Sequence, residues 1–395
     1  MKRITLSMLA LLAVAYSASA QLSVVREPFN KTKVQRNEII IPSVNGYNVY
    51  KADFHLHTIY SDGDVTPAVR VDEAWNDGLD IVAITDHAEY RCIEREIYRY
   101  MNNYIRKDLQ GEEKAINTNV LNNGPDARGL LADFNVGYET AKVRGEDLGM
   151  MVVRGMEITR GKLGDYNAIF TKDNNAIYDP NLEQSIRNAR AQGAFIFHNH
   201  PQYSKDTKST MPAHCEDLYA KGLIDGIEVA NNVYRYERLF DYCIDGDCTP
   251  ISNSDAHNLI SIRYPGAGKD YFRNMTLILA EERTEESIRK ALDEHRTIAY
   301  HANLLIGRHK LLADLFKACV SVELVEVGSK NLKVKVTNHS SLPFSLRWEG
   351  KKEGAVYGLS STIIYVRKGT KMLALSPTNM FYGRDESPVV SFKLQ

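Results

Sequence analysis

The sequence predicts an α/β barrel followed by a small all-β domain. From residue 49 to about residue 308, short apolar strands alternate with amphipathic helices, as in barrels whose parallel strands are connected by helices. From about Ala318 onward, alternating strands are separated by Gly, Asn, Ser and Lys, with no helical pattern between them. This second pattern is typical of a β-sandwich, which we assign to residues 309–395. A chain of 395 residues is long enough for two such domains.

The N-terminus has the pattern of an export signal. Two basic residues precede the apolar run Leu6–Ala15, and a small-residue cleavage site follows it, which is the order of a signal peptide. The run is too short to span a membrane, and no later segment is long and apolar enough to do so. We therefore expect cleavage near Ala20, which would remove residues 1–20 and leave a periplasmic or secreted protein. Residues 21–48 would then form an N-terminal arm.

The charge balance argues against a nucleic acid polymer as the main partner. The chain has 49 basic and 50 acidic residues, and the predicted signal removes two of the basic ones. The mature chain is therefore slightly acidic and has no polybasic tract, whereas proteins that bind nucleic acids carry clustered positive charge. The sequence does not indicate an oligomeric state.

Two of the five cysteines lie close together in the sequence. Cys243 and Cys248 flank a turn-like Asp-Gly-Asp stretch. Because exported proteins can form disulfides, a bridge between these two residues and a pair of free thiols both stay open. The cysteine spacing does not match a zinc finger.

The stretch Asp53–Asp64 carries the first candidate metal ligands. Lys51–His57 is predicted to be a strand, and alternation puts His55 and His57 on one face, where two imidazoles can bind one metal ion. Asp62, in the turn that follows, adds a carboxylate oxygen. Taken alone, the two histidines could equally well form a metal site or be one buried structural histidine and one polar edge residue.

The next elements bring further polar residues to the ends of predicted strands. Pro67–Asp77 is predicted to be a helix because Pro67 suits a first turn and an apolar stripe follows. The apolar strand Asp80–Ile84 is followed closely by His87. Further strands are predicted at 150–159, 166–170, 194–197, 224–230, 250–253 and 275–280, and helices at 181–192 and 284–295. Residues 91–147 are predicted to form a largely helical insertion that either covers the barrel mouth or packs at the periphery.

Eight nitrogen and carboxylate donors lie at or just after the carboxyl ends of these strands: His55, His57, Asp62, His87, Glu157, His200, Asp255 and His257. In α/β barrels these strand ends meet at one face and build the active site. Burying so many ionisable groups without partners would cost much free energy. The pattern therefore predicts one metal centre at the barrel mouth.

The order of the motifs resembles that of the PHP (polymerase and histidinol phosphatase) phosphoesterases. The motifs are HLH at 55–57, SDG at 61–63, TDH at 85–87, the strand-end Glu157, NHP at 199–201 and SDAH at 254–257. The resemblance covers about residues 50–307, and an exported chain with a β domain looks most like the secreted phosphodiesterase branch. It implies a distorted (β/α)7 barrel with two or three divalent metal ions, which could be Zn, Mn or Fe.

The resemblance also implies how the ligands are shared among the metals. The first metal would be held by His55, His57, Glu157 and Asp255, the second by Glu157 and His200, and the third by Asp62, His87 and His257. Glu157 would thus bridge the first two metals.

The chain departs from the family pattern after the strand-end glutamate. Family members commonly have another histidine there, where this chain has Gly164–Asn167. Asp165 could supply an oxygen ligand in its place, or the second metal could lack that ligand. His198, which alternation puts on the face of His200, is a further candidate ligand or substrate contact.

These observations predict an exported metal-dependent phosphoesterase, preferably a phosphodiesterase, that acts on a small phosphorylated substrate. The expected nucleophile is a hydroxide that bridges two metals, with Asp255, His257 and His200 as catalytic candidates. Candidate substrate contacts follow the ligand segments at Arg91, Tyr203, Lys205 and Arg263. The alternatives are a phosphomonoesterase of the same fold, an amidohydrolase-type C–N or ester hydrolase, and a metal-loaded binding protein. The third donor set, and a glutamate where amidohydrolases use a bridging lysine, favour a phosphoesterase.

Overall fold

A computed structural model of the protein describes residues 36–88, 133–201, 213–244, 247–267, 271–383 and 386–394. These residues belong to one compact unit that begins at Arg36. The predicted signal peptide, part of the N-terminal arm and most of the predicted insertion at 91–147 lie outside the described residues. The predicted domain boundary at residue 308 stays a prediction.

Eight strands of a curled sheet build the part of the fold that carries the candidate ligands. They are β1 (Asn48–Asp53), β2 (Ile81–Ile84), β3 (Met151–Thr159), β4 (Asp165–Ile169), β5 (Phe195–Asn199), β6 (Gly226–Asn231), β7 (Tyr234–Arg235) and β8 (Thr249–Asn253). Strands β1 to β7 are neighbours in sequence order, and β8 pairs with β6. A parallel bridge between Leu56 and Ala256 links the segments after β1 and β8. The predicted α/β fold class is confirmed.

Strand β4 departs from the parallel arrangement that the sequence predicted. It is antiparallel to both β3 and β5. Only a short 3₁₀ turn, Gly161–Leu163, separates β3 from β4, and without a crossover helix the chain cannot return to the opposite edge of the sheet. The reversal pairs Asp165, the first residue of β4, with Thr159, the last residue of β3. Asp165 therefore lies at the same edge of the sheet as the carboxyl end of β3.

An antiparallel extension continues the sheet beyond β1. It consists of β9 (Met275–Ala280), β10 (Thr297–His301) and β11 (Leu304–Gly307), in the order β11-β10-β9-β1. Strand β9 was predicted from the sequence, whereas β10 and β11 were not.

Helices occur between and after these strands in the sequence. They are α1 (Pro67–Asn76), α2 (Val136–Leu148), α3 (Leu182–Ala191), α4 (Ala213–Ala220), α5 (Asp241–Ile244), α6 (Ile260–Arg263), α7 (Glu285–Asp293) and α8 (His309–Cys319). The predicted helices at 67–77, 181–192 and 284–295 are confirmed as α1, α3 and α7. Thr66 caps α1 and Thr284 caps α7, each by accepting a bond from a backbone N–H three residues ahead, as expected for threonine at this position.

The C-terminal residues form two antiparallel sheets. One contains β12 (Val320–Val327), β13 (Asn331–Asn338) and β16 (Ser361–Arg367), and the other contains β14 (Phe344–Trp348), β15 (Lys352–Val356), β17 (Met372–Pro377) and β19 (Val390–Lys393). The short β18 (Met380–Phe381) instead joins β11 in the large sheet. Alternate residues of β13 are buried, as in a sheet with one face in a core. The all-β character is confirmed.

Helix α8 connects the two regions through a shared core. Its buried residues Leu312, Leu315 and Phe316 recur at helical spacing, a stripe that the sequence analysis did not use. Phe316 packs edge-on against Phe344 of β14 with ring centroids 5.1 Å apart. Both sheets, α8 and the β9–β11 extension contribute to one continuous cluster of buried residues.

The described cysteines Cys215, Cys243, Cys248 and Cys319 are buried free thiols. Cys243 and Cys248 are therefore a pair of free thiols in the structure and do not form a disulfide. Among the described helices, none combines the length and the apolar character that crossing a membrane requires.

Candidate metal centre

The loops after β1 and β8 bring His55, His57 and Asp255 together. The Asp255 N–H donates to the His55 carbonyl at 3.0 Å, and the His57 N–H donates to the Ala256 carbonyl at 3.1 Å. Asp255 has a left-handed backbone with φ of 51°. Backbone pairing between the loops therefore fixes the two histidines relative to Asp255.

Four potential ligand atoms converge between these loops and β3. The Nε2 atoms of His55 and His57 are 3.1 Å apart. Glu157 Oε2 lies 3.3 Å from His55 Nε2 and 3.2 Å from His57 Nε2. Asp255 Oδ1 lies 3.2 Å and 3.1 Å from the same two nitrogens. Two imidazoles and two carboxylates thus face one small space, and they are the set that the resemblance implied for the first metal.

A second convergence surrounds Asp62 in the turn after β1. Its Oδ1 lies 3.4 Å from His87 Nε2 and 3.3 Å from His257 Nε2. The Nδ1 atom of His57 lies 3.6 Å from the same oxygen. The structure therefore groups His57 with Asp62, His87 and His257, a proximity that the sequence analysis did not predict.

A third convergence lies on the other side of Glu157. Glu157 Oε1 is 3.7 Å from His200 Nε2, whereas Oε2 faces His55 and His57. One ligand atom each from Glu157, Asp165 and His200 lies within 4.8 Å of the others. The two oxygens of Glu157 thus face two different groups, as a bridging carboxylate would.

Two buried carboxylate oxygens have no hydrogen-bond partner among the described residues, Asp62 Oδ1 and Asp255 Oδ1. Imidazole nitrogens lie 3.1–3.6 Å from them, but not in hydrogen-bond geometry. A buried acceptor without a partner costs free energy, and a cation between the groups would remove that cost. Mixed imidazole and carboxylate donors suit divalent ions such as Zn, Mn and Fe, so the residues fit the predicted metals.

The electrostatics of the cluster also favour a bound cation. Burial lowers the pKa of His87 and of His200, but nearby carboxylates outweigh burial and raise both pKa values to about 9. Glu157 acts on both histidines, together with Asp62 on His87 and Asp255 on His200. Burial would raise the pKa of Glu157 and of Asp255, but the neighbouring histidines hold both values well below the usual range. Charged histidines are stabilised here because the carboxylates create a negative potential, which would equally attract a metal ion.

Comparison with known proteins agrees with this geometry. The model of the PHP domain family matches residues 53–258, which include all eight predicted ligands. A crystal structure from Bacteroides vulgatus ATCC 8482, of a two-domain protein containing a predicted PHP-like metal-dependent phosphoesterase, is 31% identical and has a TM-score of 0.77. The match covers 91% of this chain and 99% of that one. The chain belongs to the PHP domain family. The resemblance inferred from the motifs is thereby confirmed.

Two further solved structures are less similar to this chain. The lesion-specific endonuclease PfuEndoQ from Pyrococcus furiosus is 16% identical, with a TM-score of 0.38 over 67% of this chain and 60% of that one. PsfC from Pseudomonas syringae PB-5123 is 18% identical, with a TM-score of 0.33 over 63% of this chain and 89% of that one. A search of curated proteins finds no match.

Within this PHP domain, Glu228 on β6 is a site residue that the sequence analysis missed. Its Oε1 accepts bonds from His55 Nδ1 at 2.9 Å and from the Asn253 side chain at 2.8 Å. Its Oε2 accepts bonds from the His200 backbone N–H at 2.8 Å and from the Asn231 side chain at 2.7 Å. Because Nδ1 of His55 donates to Glu228, its Nε2 lone pair faces the other ligands. A glutamate within an apolar strand was the signal that could have identified it.

Two polar residues of the motifs also support the ligands. Asp86, within the TDH motif, accepts bonds from the Thr58 backbone N–H at 2.7 Å and the Ser61 hydroxyl at 2.6 Å. These bonds stabilise the turn that carries Asp62. Asn199, within the NHP motif, donates from Nδ2 to Glu157 Oε1 at 2.9 Å. Both motifs are visible in the sequence, but the supporting roles of Asp86 and Asn199 were not predicted from it.

The structure separates His198 from the candidate ligands. Its ring stacks on Tyr166 with centroids 4.6 Å apart, and its Nδ1 lies 3.2 Å from the Tyr219 hydroxyl. It belongs to none of the ligand groups found in the described part of the chain. The predicted common face with His200 is wrong because β5 ends at Asn199 and His200 has a left-handed φ of 24°, which interrupts the alternation.

The predicted substrate contacts lie mostly outside the described residues. Arg91, Tyr203 and Lys205 fall in ranges that the structure does not describe. Arg263 ends α6, and its Nε atom is buried without a hydrogen-bond partner among the described residues. Its contact with a substrate stays a prediction.

Proposed function

We propose that this protein is an exported metal-dependent phosphodiesterase that hydrolyses a small phosphorylated substrate. The observation that carries the proposal is the convergence of eight donors into adjoining groups around Glu157 and His57. Divalent cations bound there would neutralise charge on phosphoryl oxygens and activate a water molecule. The 31% identical relative is described as containing a predicted PHP-like metal-dependent phosphoesterase, which supports the same class of reaction.

The residues divide into a buried floor and a more exposed rim. His55 and His57 have fully buried side chains and Glu157 is 1% exposed. Asp255 is 15% exposed and His257 27% exposed. The substrate must approach from the exposed side, so Asp255 and His257, together with His200 at 14% exposure, are our candidates for contacting it and for transferring protons.

Diester specificity and export are further parts of the proposal. They are supported by the likeness of the sequence to the secreted phosphodiesterase branch and by the predicted signal at residues 1–20. A phosphomonoesterase would use the same ligands, and turnover data must separate the two activities.

A substrate panel tests the proposal. The chain lacking residues 1–20 would be loaded with Mn²⁺ or Zn²⁺ and assayed with bis-p-nitrophenyl phosphate, p-nitrophenyl phosphate and p-nitrophenyl acetate. We expect the diester to be hydrolysed fastest. Turnover of the monoester alone would retain the reaction class and reject diester specificity, and turnover of the acetate alone would reject a phosphoesterase. Export is tested by fractionating cells that express the chain with or without residues 1–20. We expect the protein to be exported only when residues 1–20 are present.

A further inference from the structure

We propose that Asp165, with Glu157 and His200, forms an oxygen-rich metal position, the position of this centre at which Mn²⁺ competes best with Zn²⁺. The inference rests on the proposed metal centre, but not on any particular substrate.

The three ligand atoms are close enough to share one ion. They lie within 4.8 Å of one another, and Glu157 Oε1 and His200 Nε2 are 3.7 Å apart. Ligand atoms at about 2.1 Å from one metal lie roughly 3–4 Å from each other. Small side-chain adjustments would therefore bring all three atoms to bonding distance.

The antiparallel course of β4 directs Asp165 into the site. Residues two apart on a strand share one face, and Asn167, two residues further on, is fully buried there. Its side chain donates to the Phe54 carbonyl at 3.2 Å and accepts from Asn199 Nδ2 at 3.0 Å. Both contacts lie next to the candidate ligands, so Asp165 shares the face that forms the site.

The turn before Asp165 holds its backbone in place. Gly164 has φ of 87° and ψ of 165°, a conformation that is essentially restricted to glycine. A Cβ atom at this position would lie 3.0 Å from His198 Nε2 and 3.0 Å from the Tyr166 hydroxyl. Asp165 Oδ1 also accepts a bond from the Arg160 N–H at 3.0 Å. His198 thus contributes to the packing that positions Asp165.

The donor chemistry of this position differs from that of the other groups. It combines one imidazole with two carboxylates, whereas the group around Asp62 contains three imidazoles and the group implied for the first metal contains two. Imidazole suits zinc and iron, and carboxylate oxygens suit manganese and magnesium. Zinc generally binds a given site more tightly than manganese does, so the expected effect is a reduced zinc preference relative to the imidazole-rich group.

Metal binding by matched variants tests this inference without an activity assay. Metal-free wild type, Asp165→Asn and Asp165→His would be titrated with Mn²⁺ and with Zn²⁺ by calorimetry, and bound metal would be counted by elemental analysis after dialysis. The control is Asp179→Asn, since Asp179 is also a partly buried aspartate that accepts a backbone N–H bond, from Asn181 at 2.8 Å. It belongs to none of the ligand groups among the described residues.

We expect Asp165→Asn to lose one Mn²⁺ equivalent, with affinity at that position at least about tenfold lower, and Asp179→Asn to behave as wild type. Asp165→His should retain the stoichiometry and increase the preference for Zn²⁺ by about tenfold. Mn²⁺ spin resonance of the Mn²⁺-loaded wild type during stepwise addition of Zn²⁺ gives a result that needs no variant, and we expect one Mn²⁺ to be displaced only at a higher Zn²⁺ concentration than the others.

Unchanged Mn²⁺ stoichiometry and affinity in Asp165→Asn would overturn the inference, as would displacement of every Mn²⁺ from the wild type at the same Zn²⁺ concentration. Phosphodiester turnover by the wild type is measured separately. Its absence would reject the proposed function and leave the metal-binding result standing, whereas turnover together with unchanged metal binding would reject only this inference.

Discussion

Arg273 and Asp53 form a buried ion pair behind the loops that carry the candidate ligands. Arg273 Nη2 lies 2.6 Å from Asp53 Oδ2, and both side chains are at most 1% exposed. Asp53 Oδ2 also accepts the Ser254 hydroxyl at 2.5 Å, and Oδ1 accepts the His55 N–H at 3.3 Å. The pair thus connects the start of the His55 loop with the start of the Asp255 loop.

We predict that Asp53→Asn lowers the free energy of unfolding by about 3 kcal/mol, because the buried Arg273 guanidinium loses its closer carboxylate. It retains only Asp77, whose Oδ2 lies 3.5 Å from Arg273 Nη1. Urea unfolding followed by circular dichroism measures the change. The control is Asp293→Asn on α7, which removes an exposed i,i+4 pair with Arg289 and should cost no more than about 0.5 kcal/mol. Equal losses in the two variants would show that the buried pair is not specifically stabilising.

Replacing Glu228 should weaken metal binding without removing a ligand. In Glu228→Gln, an NH₂ group replaces one of the two carboxylate oxygens that accept hydrogen bonds in the wild type. Either the His55 ring or the His200 backbone N–H therefore loses its acceptor. We expect metal affinity to fall by about 10–100-fold, measured by competition with a chelator. Glu183→Gln, at an exposed pair with Arg187, should leave the affinity unchanged. An affinity equal to that of the wild type in Glu228→Gln would contradict the role given to Glu228.

His301 should make the protein less stable in mild acid. Burial, aided by the charge of Arg235, lowers its pKa from the ordinary value of about 6.5 to about 4. Between these pH values the unfolded state binds a proton that the folded state does not, so stability falls as the pH falls from about 6.5 toward 4. The slope from this one group approaches about 1.4 kcal/mol per pH unit at most.

His301→Gln should remove this part of the pH dependence. Urea unfolding of wild type and variant would be compared at pH 7 and pH 5, with His339→Gln at an exposed position as the control. We expect the stability difference between the two pH values to shrink in His301→Gln only. If wild type and His301→Gln lose the same free energy between pH 7 and pH 5, His301 does not titrate as described.

Most of the donor set could be predicted from the sequence because each ligand lies near the end of an apolar strand. The predicted strand Lys51–His57 is too long, since β1 ends at Asp53 and both His55 and His57 lie in the loop after it. Glu157 lies near the end of β3 as predicted, and barrel topology supplies the rule that strand ends meet. The sequence could not show that His57 also faces Asp62, since this depends on the ring orientation within the folded loop. Their roles as metal ligands stay a prediction until metal is measured.

The residues that the sequence analysis missed depend on distant partners. Glu228 contacts His55, which lies 173 residues earlier in the chain, and Arg273 pairs with Asp53 across 220 residues. Neither of these contacts produces a periodic pattern in the sequence. The position of Asp165 required the reversal of β4, which follows from a short turn and not from the alternation pattern itself.

Metal content of the purified protein, measured together with its phosphodiester turnover, tests directly whether this chain is a metal-dependent phosphodiesterase. Wild type, His57→Ala and the exposed control His309→Ala would be analysed for bound metals and assayed with bis-p-nitrophenyl phosphate. We predict two or three divalent ions per chain in wild type and control, and loss of metal and turnover in His57→Ala. A wild-type protein that binds no metal after loading and hydrolyses no phosphoester would contradict the account.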